Sequence, residues 1–314
     1  MAELIETGAG LPAENNAQLA QWAEIAREAL SDNTLKAYEV DSRLFSEWAK
    51  AQGRTTLPAS PGTVIEFIKS EQAKGLSLST IQRRIATISR MHRAAALPNP
   101  TEDELVKLTV KGISKALGSD KKQAAPLTQR DTYSIKAFLG NTAKDKRDYA
   151  LVLVGRDLLA RSSELVSIKC SDIEFVEEGA LISLRRRKTD TESHQYFIGP
   201  ESTQALRDWL EASRIDEGYV FCSLAKGGAI TGNQLDTRSV RRIIKSLAQK
   251  SFIDNAEAVS GHSLRVGMAQ DLVSADLDVA SVMQAGGWST PTMVARYTEK
   301  IAAQRGAVAR FYRK

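Results

Sequence analysis

The segment Gly261-His262-Ser263-Leu264-Arg265, followed by Gly286-Gly287-Trp288 and then Arg296-Tyr297, constrains this chain more than any other. A histidine and an arginine three residues apart share one face of a helix. That face suits one anionic group held between an imidazole and a guanidinium. An indole donor and a phenol arrive 23 and 32 residues after Arg265. Together they suit chemistry on a phosphodiester with tyrosine as nucleophile, and any fold that uses them must gather three separate segments at one place.

The chain has 314 residues, a length that fits about two domains. Hydrophobic residues make up 42% and charged residues 26%, which is enough to build cores and argues against wholesale disorder. The net charge of +5 is compatible with a nucleic-acid partner and does not by itself require one. Cys170 and Cys222 are far apart and read as reduced thiols of a cytosol. A zinc site would have to gather nearly all of His92, His194 and His262 from distant segments, so neither a metal nor another cofactor is expected. The longest apolar stretch, residues 149–155, is too short to cross a bilayer, and residues 1–10 lack a basic-then-apolar leader. The expected setting is a bacterial cytosol, near the nucleoid.

Residues 1–18 read as a flexible tail, because their Gly-Ala-Gly-Leu-Pro-Ala stretch supports no period. Helical spacing follows. Ser31-Asp32 offers a cap, and Leu35, Tyr38, Phe45 and Trp48 form a stripe. Pro58, Pro61 and Gly62 break the chain before a short helix over 63–74. A further helix starts at Ser77 or Ser79 and carries Ile81, Ile85, Ile88 and His92 on its apolar side, so His92 reads as structural. Arg83 and Arg90 lie seven apart on another side, either solvated or laid against DNA phosphates. Leu97-Pro98-Asn99-Pro100 ends this helix. Lys107, Lys111 and Lys115 make a basic stripe on the next, opened by acids at 102–104.

Residues 118–126, with Lys122 among them, read as a linker able to touch a DNA backbone. The expected organisation is thus a tail at 1–18, a helical domain at 19–117, the linker, and a second domain at 127–314. The fold class is mainly α: a helical N-terminal domain and a mostly helical C-terminal one with a small antiparallel sheet. Strands are expected at 180–184 and 195–198, joined by a polar hairpin loop over 188–193.

Taken singly, the chemical candidates are ordinary. Arg161 has Glu164 three residues on as an ion-pair partner, and Lys188 closes the basic run Arg185-Arg186-Arg187-Lys188, of a kind usually solvated. His194 has nothing beside it in sequence that points to a function. Gly261 and Gly267 flank the histidine and arginine and permit close approach. Thr290-Pro291 opens a helix that carries Tyr297 about two turns in.

As an ordered set, however, Arg161, Lys188, His262-x-x-Arg265, Trp288 and Tyr297 resemble the tyrosine recombinase (phage integrase) family. Residues 260–267 and 283–288 look like its second catalytic box and its tryptophan box, the latter where many members carry histidine. Leu30-Ser31-Asp32-Asn33-Thr34, Tyr38, Arg43-Leu44-Phe45-Ser46, Met91-His92-Arg93 and Leu97-Pro98 are also similar, so the likeness runs from about residue 20 to the end.

The resemblance implies roles. Arg161 and Arg265 would clamp the scissile phosphate, for which planar, always-charged guanidiniums are suited. Glu164 matches the family's acidic position beside the first arginine and would orient the site. Trp288 would donate its N–H, Lys188 would be the general acid, His262 would handle the tyrosine proton, and Tyr297 would attack. The resemblance also implies double-stranded DNA with a specific inverted-repeat site as partner, and a homotetramer on two such sites.

Residues 237–242 resemble a family segment whose helix enters the major groove, which makes Arg238 the first choice for a base contact. Arg241 and Arg242 are then further DNA candidates, beside Arg83, Arg90, Lys107, Lys111 and Lys122. Arg241 falls where a family member carries an acid, so the target sequence need not be that member's. A type IB topoisomerase, a telomere resolvase and a non-catalytic architectural protein remain as alternatives.

Overall fold

The computed structural model describes residues 11–117, 123–186, 193–305 and 307–312. The chain forms two compact units, residues 1–121 and 122–314.

The first unit is helical: α1 (Ala13–Ala29), α2 (Asp32–Ala51), α3 (Pro61–Ala73), α4 (Leu78–Ala94) and α5 (Glu104–Leu117). One local device starts three of them. Ser31, Ser60 and Ser77 each accept the backbone N–H three residues on, at Thr34, Thr63 and Thr80, satisfying a donor that a helix start leaves bare. Phe45, Val64, Phe67, Ile68, Ile81 and Ile88 form a buried core, with the Phe45 and Phe67 rings 5.0 Å apart edge to face. His92 is fully buried; its Nε2 accepts the Ala59 N–H at 2.9 Å, and its Nδ1 lies 2.8 Å from the Ile88 carbonyl.

Part of the expected tail is wrong. Residues 13–18 are the first six residues of α1, which follows Pro12 and buries Leu19, Ala23 and Ala26 against Met91 and Ala95. The apolar face here is mostly alanine, too weak a signal to stand out beside a Gly- and Pro-containing stretch.

The second unit is built around α7 (Ala143–Asp157), preceded by α6 (Gln129–Phe138). Residues 150–156 of α7 are all buried, which is why this stretch reads as apolar without a clean helical stripe. The two expected strands are present as β2 (Gly179–Leu184) and β3 (His194–Ile198), antiparallel with Ala180 opposite Ile198, while residues 188–192 of the expected loop lie outside the described residues. A strand unforeseen in sequence, β1 (Ile173–Val176), completes that sheet, and β4 (Cys222–Leu224) pairs with β5 (Ile230–Gln234) in a second. These strands are short, β5 is largely exposed, and it carries glycine and asparagine, residues depleted in strands.

Around them lie α8 (Ser162–Ser167), α9 (Pro200–Ser213), α10 (Thr237–Lys250), α11 (Ser263–Ser274), α12 (Val279–Gly286), α13 (Thr292–Arg305) and α14 (Ala307–Tyr312). Trp209 of α9 is buried at the centre and donates to the Val220 carbonyl at 2.8 Å. Among the described residues, no helix is long and apolar enough to cross a membrane.

Candidate active site

The site begins where α7 stops. Leu158-Leu159-Ala160 turns the chain, with Leu159 in the left-handed region at φ 45° and the Ala160 N–H donating to the Gly155 carbonyl at 3.0 Å. Arg161 then caps α8. Glu164, 7% exposed, accepts the Arg161 backbone N–H at 2.8 Å and also pairs with its guanidinium. The same carboxylate therefore starts the helix and fixes the arginine, whose side chain stays 45% exposed.

His262 is the residue just before α11, so it caps the helix that carries Arg265 instead of lying within it as its spacing suggests. Close packing fixes this helix. A Cβ on Gly267 would overlap the Leu127 carbonyl, and a Cβ on Gly261 would overlap Ser162 of α8. These approaches draw the starts of α8 and α11 together.

Arg265 is 2% exposed. Its Nη2 donates to the Gly286 carbonyl at 2.6 Å and its Nη1 to the Leu159 carbonyl. Burial first, then the positive fields of Arg161 and Arg186, lower its pKa to about 10. It therefore stays charged at neutral pH in a site unfavourable to a cation. The His262 pKa is held below its ordinary value by desolvation, with Arg265 and Arg161 adding to it. A neutral imidazole at pH 7 can accept a proton.

Gly287 ends α12 with φ 61°, a conformation glycine adopts without strain. Trp288 follows. The Arg265 guanidinium lies 4.5 Å from the centre of its ring, within cation–π range. The Trp288 and Tyr297 rings meet edge to face at 5.6 Å. Tyr297, 7% exposed, sits early in α13 against Leu159, Val266 and Ala269. Its backbone carbonyl accepts the Gln270 amide at 2.9 Å and the Gln123 amide at 3.4 Å. The structure thus brings Arg161, Glu164, His262, Arg265, Trp288 and Tyr297 to one place.

Lys188 and Lys122 lie outside the described residues. His194 is exposed at the start of β3. Arg238, Arg241 and Arg242 all lie on the exposed side of α10, whose other side buries Val240, Ile244 and Leu247. In the first unit Arg90, Lys107 and Lys111 are exposed. Arg83, half-exposed, is ion-paired at 2.7 Å with the buried Asp41, a partner 42 residues away that helical spacing could not reveal. Sequence reasoning passed over Arg186, which reads as one member of a basic run. It also passed over Gln270, five residues beyond Arg265 on the same helix, a spacing that carries no recognisable signal.

Comparison with known proteins gives consistent matches. The profile of the phage integrase family matches residues 125–304, and that of the phage integrase N-terminal SAM-like domain matches residues 20–97. An integrase/recombinase XerD homolog of Selenomonas ruminantium is 31% identical over 300 residues, covering 91% of this chain and 87% of the relative. The Cre recombinase of Escherichia phage P1 is 29% identical over 304 residues, covering 90% and 89%. Among solved structures, the XerH site-specific recombinase bound to palindromic difH substrate, in a post-cleavage complex, aligns with a TM-score of 0.72 at 16% identity over 99% of this chain and 88% of that one. The Tn1549 transposon integrase with transposon right end DNA aligns with a TM-score of 0.66 at 17% identity, covering 93% and 99%. At these identities the structural likeness concerns the fold.

Proposed function

The chain belongs to the phage integrase family, the tyrosine recombinases, and from that premise we propose that it is a site-specific DNA recombinase in which Tyr297 forms a covalent 3′-phosphotyrosine bond. The Tyr297 phenol oxygen attacks the scissile phosphorus. A phosphorus–oxygen bond forms to the tyrosine, and the bond to the 5′-oxygen of the next nucleotide breaks. The phenolic proton passes to neutral His262, and Lys188 gives a proton to the departing 5′-oxygen. Arg161 and Arg265 take the non-bridging oxygens and Trp288 donates its N–H, so that charge building in the transition state meets donors already in place. A free tyrosine has a pKa of about 10, so it needs this cationic setting to attack at neutral pH. The phosphotyrosine conserves the energy of the cut linkage, and a hydroxyl from another strand reseals it without ATP.

The observation that carries this reading is the continuous contact from Arg265 through Trp288 to Tyr297, at 4.5 and 5.6 Å, beside the exposed guanidinium of Arg161. On DNA we assign Arg238, Arg241 and Arg242 to groove and backbone contacts, with Arg83, Arg90, Lys107, Lys111 and Lys122 on phosphates. The working assembly is a homotetramer on two inverted-repeat sites. Val308, Phe311 and Tyr312 of α14 are 71%, 73% and 80% exposed, an apolar tail suited to packing against a neighbouring protomer.

The test is a nicked suicide substrate carrying the candidate site. Wild type is expected to form a covalent adduct that resists denaturant, and Tyr297→Phe to bind the DNA without forming one. Absence of adduct with wild type, or its persistence with Tyr297→Phe, would overturn the mechanism.

A further inference from the structure

Two arginines, not one, join the turn after α7 to the end of α12. Arg265 links the carbonyls of Leu159 and Gly286. Arg186, two residues beyond β2, does the same one residue earlier on both sides: its Nη2 donates to the Leu158 carbonyl, and its Nη1 donates to the Ala285 carbonyl at 2.8 Å. Its guanidinium also lies 3.8 Å from the centre of the Tyr196 ring. Its aliphatic stem packs on Gly287, where a Cβ would come within 2.8 Å of the Arg186 Cδ. The segment that leads into Trp288 is therefore gripped from two sides.

We propose that Arg186 is a positioning residue that sets the Trp288 indole in the active site by holding residues 285–287 to the turn after α7. The inference rests on the recombinase reading above for its effect on cleavage, though not for its effect on Trp288. A single bracket at Gly286 leaves the segment free to pivot about the Arg265 contact, and a second bracket one residue away removes that freedom. A forked, planar donor is required, because two carbonyls on different elements must be met at once. Lysine, with one point of charge, can satisfy only one of them well. Placement matters steeply in such a site, where a shift of about 1 Å can cost about 100-fold in rate.

The test uses the full chain labelled with 5-fluorotryptophan. The four tryptophans, Trp22, Trp48, Trp209 and Trp288, give four fluorine resonances, and Trp288→Phe identifies the one of interest. In Arg186→Lys and Arg186→Gln the Trp288 resonance is expected to move or broaden while the other three stay in place. Single-turnover cleavage of the suicide substrate should fall about 10-fold to 100-fold with DNA affinity within about twofold. In a Trp288→Phe background the same Arg186→Lys change should alter cleavage by less than about twofold, because a residue acting through Trp288 has nothing left to act through. An unmoved Trp288 resonance in the folded Arg186→Lys protein, or an equal loss in both backgrounds, would overturn the proposal. If wild type forms no adduct at all, the recombinase reading fails, while the fluorine spectrum still decides whether Arg186 places Trp288.

Discussion

Arg265→Met separates what the buried guanidinium does for the fold from what it does for the reaction. In the free protein its pKa is lowered to about 10, well below the ordinary arginine value, so its charged form is disfavoured by about 3 kcal/mol. Methionine removes that penalty, which already includes the repulsion from Arg161 and Arg186. It also leaves the carbonyls of Leu159 and Gly286 without their donor, at about 1–3 kcal/mol each. The two effects nearly offset, so the net change lies between a gain of about 1 and a loss of about 3 kcal/mol. For a unit of this size that is a melting shift of at most about 12 °C. Cleavage should fall far more, by about 100-fold to 1,000-fold or beyond, because a preorganised donor to the transition state is gone. Calorimetric melting of the full chain and single-turnover cleavage of the suicide substrate are the two assays. Complete unfolding of Arg265→Met would refute the reasoning, since the arginine would then be a strut whose bonds far outweigh its burial. So would a folded variant that still cleaves at the wild-type rate.

Other contacts of the site and of the two cores set further expected outcomes. Gln270→Ala should slow cleavage with little change in DNA affinity, because the amide grips the Tyr297 carbonyl at 2.9 Å, and a parallel fall in DNA affinity would contradict this. Gly267→Ala should lower the melting temperature sharply or prevent folding, since its Cβ would overlap the Leu127 carbonyl; a near-wild-type melt would show that α11 can shift away. Burial lowers the His92 pKa, so below about pH 6.5 the unfolded chain binds the extra proton and the folded chain does not. Stability should therefore fall with decreasing pH by up to about 1.4 kcal/mol per pH unit, read by urea unfolding, and a flat profile would mean that the ring takes the proton inside the fold. Arg238→Ala should relax preference at one base pair by about 1–3 kcal/mol in competition binding, whereas an equal loss on every sequence would mark it as a backbone contact only.

Local chemistry made much of the fold legible. Ser31, Ser60 and Ser77 act through atoms three residues away, so the helix starts they set are written in short stretches of sequence. The pairing of β2 with β3 is likewise local, since the two apolar runs stand close together in the sequence. Where the local signal is weak, the element does not show in the sequence. The alanine-rich face of α1 became helical because Met91 and Ala95 were there to bury it, and β5 pairs although its residues are poor strand formers.

The same division runs through the active site. The residue types and their order along the chain were determined by sequence alone, since an imidazole, two guanidiniums, an indole and a phenol have fixed chemistry wherever they stand. Which arginines serve the site was decided by tertiary structure. Arg83 and Arg186 look alike as solvated cations, yet one is tied to the buried Asp41 and the other spans the carbonyls of Leu158 and Ala285. A long side chain takes its partner from whatever packing brings within its reach, and that partner here lies tens of residues away along the chain.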